Sequence, residues 1–453
     1  MGSRIEIKRE TIAIYCLLLV SAIRWFIRGY YGHENIVNSI ILIFGLCCIF
    51  KAKFSSVNYF WILYSVAIAG NVIFFTGWAS RKLMPVYVLL ALFPVLSTIH
   101  RVDSYYEKYI KTIIGFGTFV SLSVILQFFL GDRFNEVVRF GLREPFYSLS
   151  WGYIRGKYFS GICYAPHDAS GFICFALFSF IITLISIKKS IKAKHIFLMV
   201  ILVLAFLLTQ KKGIILSFII SLFLVFTFVN ADKRNIGNLI IYLFFFVVML
   251  SIIFFYMRSH LDNPIFYRLN KLFTALLNDE EVTFSGRTVL YRQAWSLWSE
   301  KKLFGIGWRR FNSLAFSTFN ESINLIGHEV NCDYLQFLCE LGVIGTIFVL
   351  IPIFVEFYRS VFVLRIIRKD KEMFVKYKNT IIAVLLNIFT LIYAFVEIPF
   401  NDETFLGIYF FSCIVINSAY SNFKKSYVDT QKIPMVYKGN SLHTAYRTTL
   451  NVD

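Results

Sequence analysis

The chain has 453 residues and is 57% hydrophobic but only 16% charged, far less charge than a water-soluble chain of this length carries. That composition excludes a soluble enzyme and leaves no segment large enough to fold as a separate soluble domain. The formal charge of +19 would suit nucleic acid. The basic residues, however, sit in short clusters between apolar stretches, as positive-inside topology requires, so the expected partner is the lipid bilayer and not nucleic acid.

A helix needs ~20 apolar residues to cross the hydrocarbon core, and about twelve stretches qualify, some of them short. In chain order they are residues 11–27, 36–50, 57–75, 83–99, 109–130, 169–187, 196–209, 213–229, 239–256, 334–357, 380–396 and 404–420. The first run is too long for a cleavable signal and lacks a small-residue cleavage site. Alternate connections carry the positive charge. Arg4, Lys8 and Arg9 precede the first span; Lys51 and Lys53, then Arg101, Lys108 and Lys111, follow the second and fourth. Lys188, Lys189, Lys192 and Lys194, then Lys233 and Arg234, continue the series. Arg365, Arg368, Lys369, Lys371, Lys376 and Lys378 follow the tenth span, and Lys424 and Lys425 the last. With twelve spans all of these fall on one side, which puts both termini in the cytoplasm. The expected fold is therefore an all-α polytopic membrane protein of about twelve transmembrane helices, with two long outer loops carrying short interfacial helices. Residues 1–420 form one transmembrane domain, and 421–453 a cytoplasmic tail expected to be poorly ordered.

The two long outer loops are 131–168 and 257–333. Connections this long in a compact protein are functional or disordered. In the second, 287–298 aligns Leu290, Tyr291, Ala294, Leu297 and Trp298 on one helical face, with Arg292 and Gln293 off it. That pattern predicts a helix on the outer interface anchored by Trp295 and Trp298. Residues 264–277 are a second short amphipathic candidate. Cys163 and Cys332 both fall at outer loops, but no spacing requires them to pair.

The sequence holds no phosphate-cradling Gly-rich loop, paired-Cys zinc site, Ser nucleophile elbow or acidic metal cluster. No metal and no cofactor is expected. What remains is an outward-facing set of Arg, Lys, His and Glu. Lys211 and Lys212 occupy the tight turn between the seventh and eighth spans, on the side where short loops avoid Lys. Basic groups at that depth face a cavity or an anionic partner, unless they snorkel to the interface. Ser285-Gly286-Arg287 opens the interfacial helix, where an Arg beside backbone amides suits a phosphate, although a surface Arg is more often only solvated. Trp295 follows, then Leu303-Phe-Gly-Ile-Gly-Trp308. His328-Glu-Val-Asn-Cys-Asp-Tyr-Leu-Gln336 leads into the tenth span, and Glu340-Leu-Gly-Val-Ile-Gly345 lies just inside it. His is the usual general base near neutral pH; a loop His is otherwise a hydrogen-bonded surface group. An acid at the depth of Glu340 marks a cavity or an ion pair. Arg155-Gly-Lys157 and Phe159 to His167-Asp168 add cationic and aromatic groups from the first loop; interfacial anchoring explains the aromatics equally well.

This order of elements resembles the O-antigen ligase/polymerase family of bacterial membrane glycosyltransferases. Members show a basic dipeptide before Gly at an outer turn, here Lys211-Lys212-Gly213. They show Gly-Arg, a downstream Trp and Gly-x-Gly with an aromatic, here Gly286-Arg287, Trp295 and Gly305-Ile-Gly307-Trp308. They then show His-Asn-x-Tyr-Leu-Gln, an acid and Gly-x-x-Gly, here Asn331-Cys-Asp-Tyr-Leu-Gln336, Glu340, Gly342 and Gly345. Two positions depart: Lys212 replaces the usual Arg, and Asn331 stands where the family has His. The nearest His is His328, which shares a face with Asn331 if the segment is helical. The resemblance implies a polyprenyl-diphosphate-linked glycan as donor, held through its diphosphate by Lys211, Lys212, Arg287 and Arg292. It implies a catalytic set of His328, Arg287, Asn331 and Glu340. It implies contacts from Arg155, His167 and Trp308 to an acceptor glycan, in the bacterial cytoplasmic (inner) membrane. A polysaccharide polymerase is favoured because two substantial outer loops can hold donor and acceptor separately. A ligase that delivers glycan to lipid A–core or another terminal acceptor is the alternative. A transporter or flippase is disfavoured because the polar residues lie at the outer face and not at the bilayer midplane. Other polysaccharide-assembly proteins are candidate partners.

Overall fold

The computed structural model describes residues 56–77, 82–83, 85–86, 103–138, 141–142, 146–163, 165–186, 192–230, 285–318, 329–368 and 371–432. The helices among them, in chain order, are α1 Ser56–Thr76, α2 Asp103–Leu130, α3 Asp132–Val138, α4 Phe146–Arg155, α5 Pro166–Ser186, α6 Ala193–Leu208 and α7 Lys212–Asn230. They continue with α8 Ser285–Glu300, α9 Phe311–Thr318, α10 Asp333–Ile367, α11 Lys371–Lys376, α12 Lys378–Tyr393 and α13 Glu403–Lys432. Of these, α1, α2, α5, α7, α10 and α13 are long and apolar enough to cross a membrane. Helices α6 and α12 are apolar but have 16 residues each, about 24 Å of rise against a core of ~30 Å. These eight fall on eight of the twelve expected spans. The expected spans 11–27, 36–50 and 239–256, most of 83–99 and the amphipathic stretch 264–277 lie outside the described residues. One boundary is corrected: α13 continues to Lys432, so the first part of the expected tail is helix. Cys163 and Cys332 are both free thiols.

Helices α5, α12 and α13 form the middle of the bundle. They are buried along most of their length, while α1, α2 and α7 keep an outward apolar face. Helix α5 packs on α2, α6 and α12, and α10 packs on α1, α13 and α8. Small residues permit the closest crossings, because lipid supplies no hydrophobic drive between helices and contact distance decides. A Cβ on Gly117 of α2 would sit 2.4 Å from the Ala176 side chain of α5. Deeper in the bundle, Arg359 donates to Glu356 Oε1 (2.9 Å) and Asn417 Oδ1 (2.7 Å), and Asn417 Nδ2 donates to both Glu356 oxygens (2.9 and 3.0 Å). A buried ion pair is tolerable only when its remaining polar atoms are bonded as well, and this group ties α10 to α13.

The two ends of the bundle are built differently. At one end Lys378 lies 3.7 Å from Glu107, Arg368 lies over the Phe228 ring, and Tyr377 packs on Phe423. At the other end α10 begins, α12 hands over to α13, and loops 131–165 and 301–310 gather. Backbone amides of Ser160 and Gly161 donate to Gln127 Oε1, both at 2.7 Å, and Ile162 N donates to Ser123 Oγ (3.2 Å). The first long loop is therefore tied down on α2 and carries two helices of its own.

Helix α10 breaks at Gly342 (φ 66°, ψ −174°), and the loop after α8 plugs the break. Ile306 N and Gly307 N donate to the Cys339 and Glu340 carbonyls (3.0 and 2.9 Å); Val343 N and Ile344 N donate to the Lys302 and Leu303 carbonyls (2.9 and 3.2 Å). The backbones approach so closely that a Cβ on Gly305 would sit 2.5 Å from the Glu340 carbonyl and one on Gly342 2.3 Å from Leu303 O. Both glycines have positive φ, which an L side chain resists. The Glu340 carboxylate completes the lock. It is fully buried and accepts from Arg309 N (2.8 Å), Phe311 N (3.0 Å) and Gln336 Nε2 (3.3 Å). Asn71 of α1 binds both sides, donating to Phe304 O of the loop (3.1 Å) and Glu340 O of α10 (3.4 Å) and accepting from Trp308 N (2.6 Å).

Two outcomes follow from this lock. Gly342→Ala and Gly305→Ala should each lower the melting temperature of the purified protein by several degrees, since left-handed strain alone is about 1–2 kcal/mol; unchanged melting would show that the contact is not made. Glu340→Ala leaves two loop amides without an acceptor, at roughly 1–3 kcal/mol each. Hydrogen exchange across 301–311 should then rise selectively, and a protected loop in that variant would remove the lock.

Candidate functional site

Several of the expected site groups meet on the connection between α12 and α13, residues 394–402. This strand of backbone is clamped to the start of α10. Asp333 N donates to the Ala394 and Glu397 carbonyls (2.9 and 3.2 Å). The Asp333 carboxylate accepts from Phe400 N (2.7 Å) and Asn401 Nδ2 (3.1 Å), and the Arg309 guanidinium donates to Asn401 O.

Three groups reach this connection from different elements. First, Arg287, in the opening turn of α8, donates to Glu397 Oε1 at 3.1 Å; both side chains are partly exposed. Second, the turn that ends α6 and opens α7 is seated against it. A Cβ on Gly213 would meet Val396 at 3.2 Å and Tyr393 at 3.6 Å. That contact brings Lys211 and Lys212, both partly buried, beside the segment that carries Glu397. Third, at the start of α5, His167 Nε2 lies 3.6 Å from Asp168 Oδ1, with His167 partly exposed and Asp168 buried. Ligand atoms of His167, Asp168 and Asp402 lie within 4.8 Å of one another, close enough to share a metal ion.

Tyr291, one turn beyond Arg287, donates its hydroxyl to Asn331 O (3.3 Å). Burial pushes its phenol up; Cys332 and Glu397 act the same way and Arg287 opposes them. Lys82, on the α1 side of the lock, is pushed down by burial; Glu340 opposes this, and Arg310 and Arg309 add to it.

Other expected site residues make different contacts. Trp308 is fully buried, stacks on Phe337 at 5.9 Å and donates its indole N–H to Lys82 O (3.0 Å). It has no face left for a sugar. Glu340 is occupied by loop amides and acts as a cap for the 301–311 loop. Arg292 is exposed and five residues from Arg287, about 140° around the helix. It therefore faces away from the Arg287–Glu397 pair and lines a separate groove. Gln293 is buried on the inner face of α8 with Leu290, Ala294 and Leu297, so that face packs on α10 and is not lipid-facing. Asn331 has φ 56°, a left-handed conformation that Asn tolerates better than most residues. Residues 329–332 are not helical, so the condition on which Asn331 would share a face with His328 is not met across them; His328 itself lies outside the described residues. Arg155 is exposed at the end of α4.

The sequence reading overlooked Glu397, Asn401 and Asp402. Their signal was present in Glu397-Ile-Pro-Phe-Asn-Asp-Glu403, a short polar break between two apolar runs. It was passed over because the break is brief and holds no cation. Asp168 and Asp402 form an acidic pair only after folding.

No curated protein matches the chain. Residues 197–350 match the family model described as O-antigen ligase. The matched stretch holds the Lys211-Lys212-Gly213 turn, Arg287, the Gly305–Gly307 loop and the Gly342 break; it stops before Glu397 and begins after His167. Over residues 197–350 the chain is therefore similar to the O-antigen ligase family.

Proposed function

We propose that the chain transfers a polyprenyl-diphosphate-linked glycan to an acceptor sugar hydroxyl at the outer face of the bacterial cytoplasmic membrane, acting as a polysaccharide polymerase. The observation that carries this reading is the meeting of Arg287 with the Lys211–Lys212 turn at one short connection. Three cations around one rim suit a diphosphate, whose departure needs charge neutralisation. In this reading both termini are cytoplasmic, and the loop end of the bundle is the outer one.

The acceptor hydroxyl oxygen attacks the anomeric carbon in line. The bond from that carbon to the diphosphate oxygen breaks, and the diphosphate leaves with the electron pair. One direct displacement inverts the anomeric centre. Lys211, Lys212 and Arg287 stabilise the growing negative charge, with Lys212 supplying charge without the bidentate geometry of Arg. Glu397 holds Arg287 in position until phosphate oxygens compete for the guanidinium. His328 takes the hydroxyl proton, and Asn331 orients the acceptor. Glu340 and Trp308 act from beneath, by fixing the loop that α8 leads into. The displacement needs no metal ion in this scheme.

Arg287→Ala should reduce transfer to below about 1% of wild type, the scale of losing a charge-stabilising donor, with membrane insertion and melting temperature unchanged. Full activity in that variant would remove Arg287 from the mechanism. Purified protein given one lipid-diphosphate repeat unit from the host pathway should produce a ladder of longer lipid-linked glycans. Transfer that appears only after a terminal acceptor is added would make the protein a ligase. A chelator such as EDTA should leave the ladder intact; loss of the ladder, with recovery on adding a divalent cation, would instead bring His167, Asp168 and Asp402 into the chemistry.

A further inference from the structure

Helix α8 has two faces of different chemistry. Leu290, Gln293, Ala294 and Leu297 point inward and are buried. Arg292, Trp295, Ser296 and Ser299 recur at helical spacing on the other side. Together with Tyr291 and Leu335 they line an open groove of about 570 Å³, within the range of small-molecule sites. Trp295 is 56% exposed there and rests against Trp298 at 4.7 Å, so one aromatic ring is presented to the groove and braced by a second.

This face is not built for lipid. The outward face of α2 shows what lipid contact looks like in this chain: Phe119, Leu122, Leu126 and Phe129, all apolar and exposed. The α8 groove instead offers a flat ring, two hydroxyls and a guanidinium, with no carboxylate among its lining. A ring stacks on the C–H face of a pyranose, while hydroxyls and guanidinium N–H groups bond its oxygens. The groove also reaches the segment that holds Asn331, because Tyr291 both lines it and donates to Asn331 O.

We propose that this groove binds the sugar portion of a substrate, one or more neutral or acidic hexose units, next to the reacting centre. The assignment rests on the glycan-transfer reading above. It reassigns Arg292 from diphosphate to glycan. The sugars come from either the donor or the acceptor; both present the same ring faces and hydroxyls.

The direct test is equilibrium binding of a free oligosaccharide, the host's surface-polysaccharide repeat released by mild acid and carrying neither lipid nor diphosphate. Wild-type protein in nanodiscs should bind it. Trp295→Ala should weaken binding about tenfold, the order expected for one stacked ring. Trp295→Phe should retain most of the affinity, and Lys211→Ala should bind as wild type. In the transfer assay, Trp295→Ala should raise KM with little change in kcat. A rise confined to the acceptor places acceptor sugars in the groove, and one confined to the donor places donor sugars there. Failure of the wild type to bind the oligosaccharide, or equal affinity in Trp295→Ala, would overturn the proposal. The two readings fail separately. A protein that binds through Trp295 but builds no glycan retains the groove and loses the proposed reaction. A protein that builds glycan with an unchanged dissociation constant for Trp295→Ala retains the reaction and loses the groove.

Discussion

A helix that breaks inside an apolar bundle must place its freed backbone groups somewhere, because water is not there to take them. The break at Gly342 in α10 is that problem in this chain, and the 301–311 loop is its solution. Four amide-to-carbonyl bonds cross between them, and the Glu340 carboxylate takes two further loop amides. The contact leaves no room for a β-carbon at Gly305 or Gly342. Everything on the loop end of the bundle depends on this joint, since it sets where α8 and the first two turns of α10 lie.

Electrostatics at that end are arranged by pairing. Asp333 is consumed by the α12–α13 connection, and Glu340 by the loop. Both acids are buried, and burial without donors would cost several kcal/mol each. Arg287 and Glu397 differ because both remain partly exposed. A partly exposed pair contributes less stability than a buried, fully bonded one, and in the proposed reaction an incoming anion would compete with the carboxylate for the guanidinium. The same residues therefore suit a rim that holds a cation in place and surrenders it to substrate. The turn at Lys211 adds charge without a large entropic cost, because Gly213 seats it on Val396 and Tyr393.

Family-like glycines and acids in this chain divide into those that build and those that face outward. Gly305, Gly342 and Glu340 are spaced as they are because two backbones must touch there. Trp308 belongs with them: its indole bonds backbone and its ring stacks in the core. Arg287, Lys211 and Trp295 keep exposed surface that a ligand can reach. A linear motif lists both kinds side by side, since spacing records proximity in the fold and not the direction of a side chain.

The sequence by itself determined the all-helical membrane class and the position of six helices of membrane-spanning length and two shorter apolar ones. These follow from apolar length and charge alternation, which are local properties read within ~20 residues. It also placed the interfacial stretch 287–298 in a helix by periodicity. Only the tertiary structure decided which side of α8 is buried, that Glu340 and Trp308 serve the scaffold, and that Glu397 and Asp402 join the site. Those outcomes depend on which distant backbone supplies a partner. Glu340 finds its donors in the loop before α10, Arg287 its acceptor beyond α12, and Asp168 its neighbour at the start of α13. Pairings across such separations leave no periodic trace in a single chain, because they are selected by the packing of whole helices.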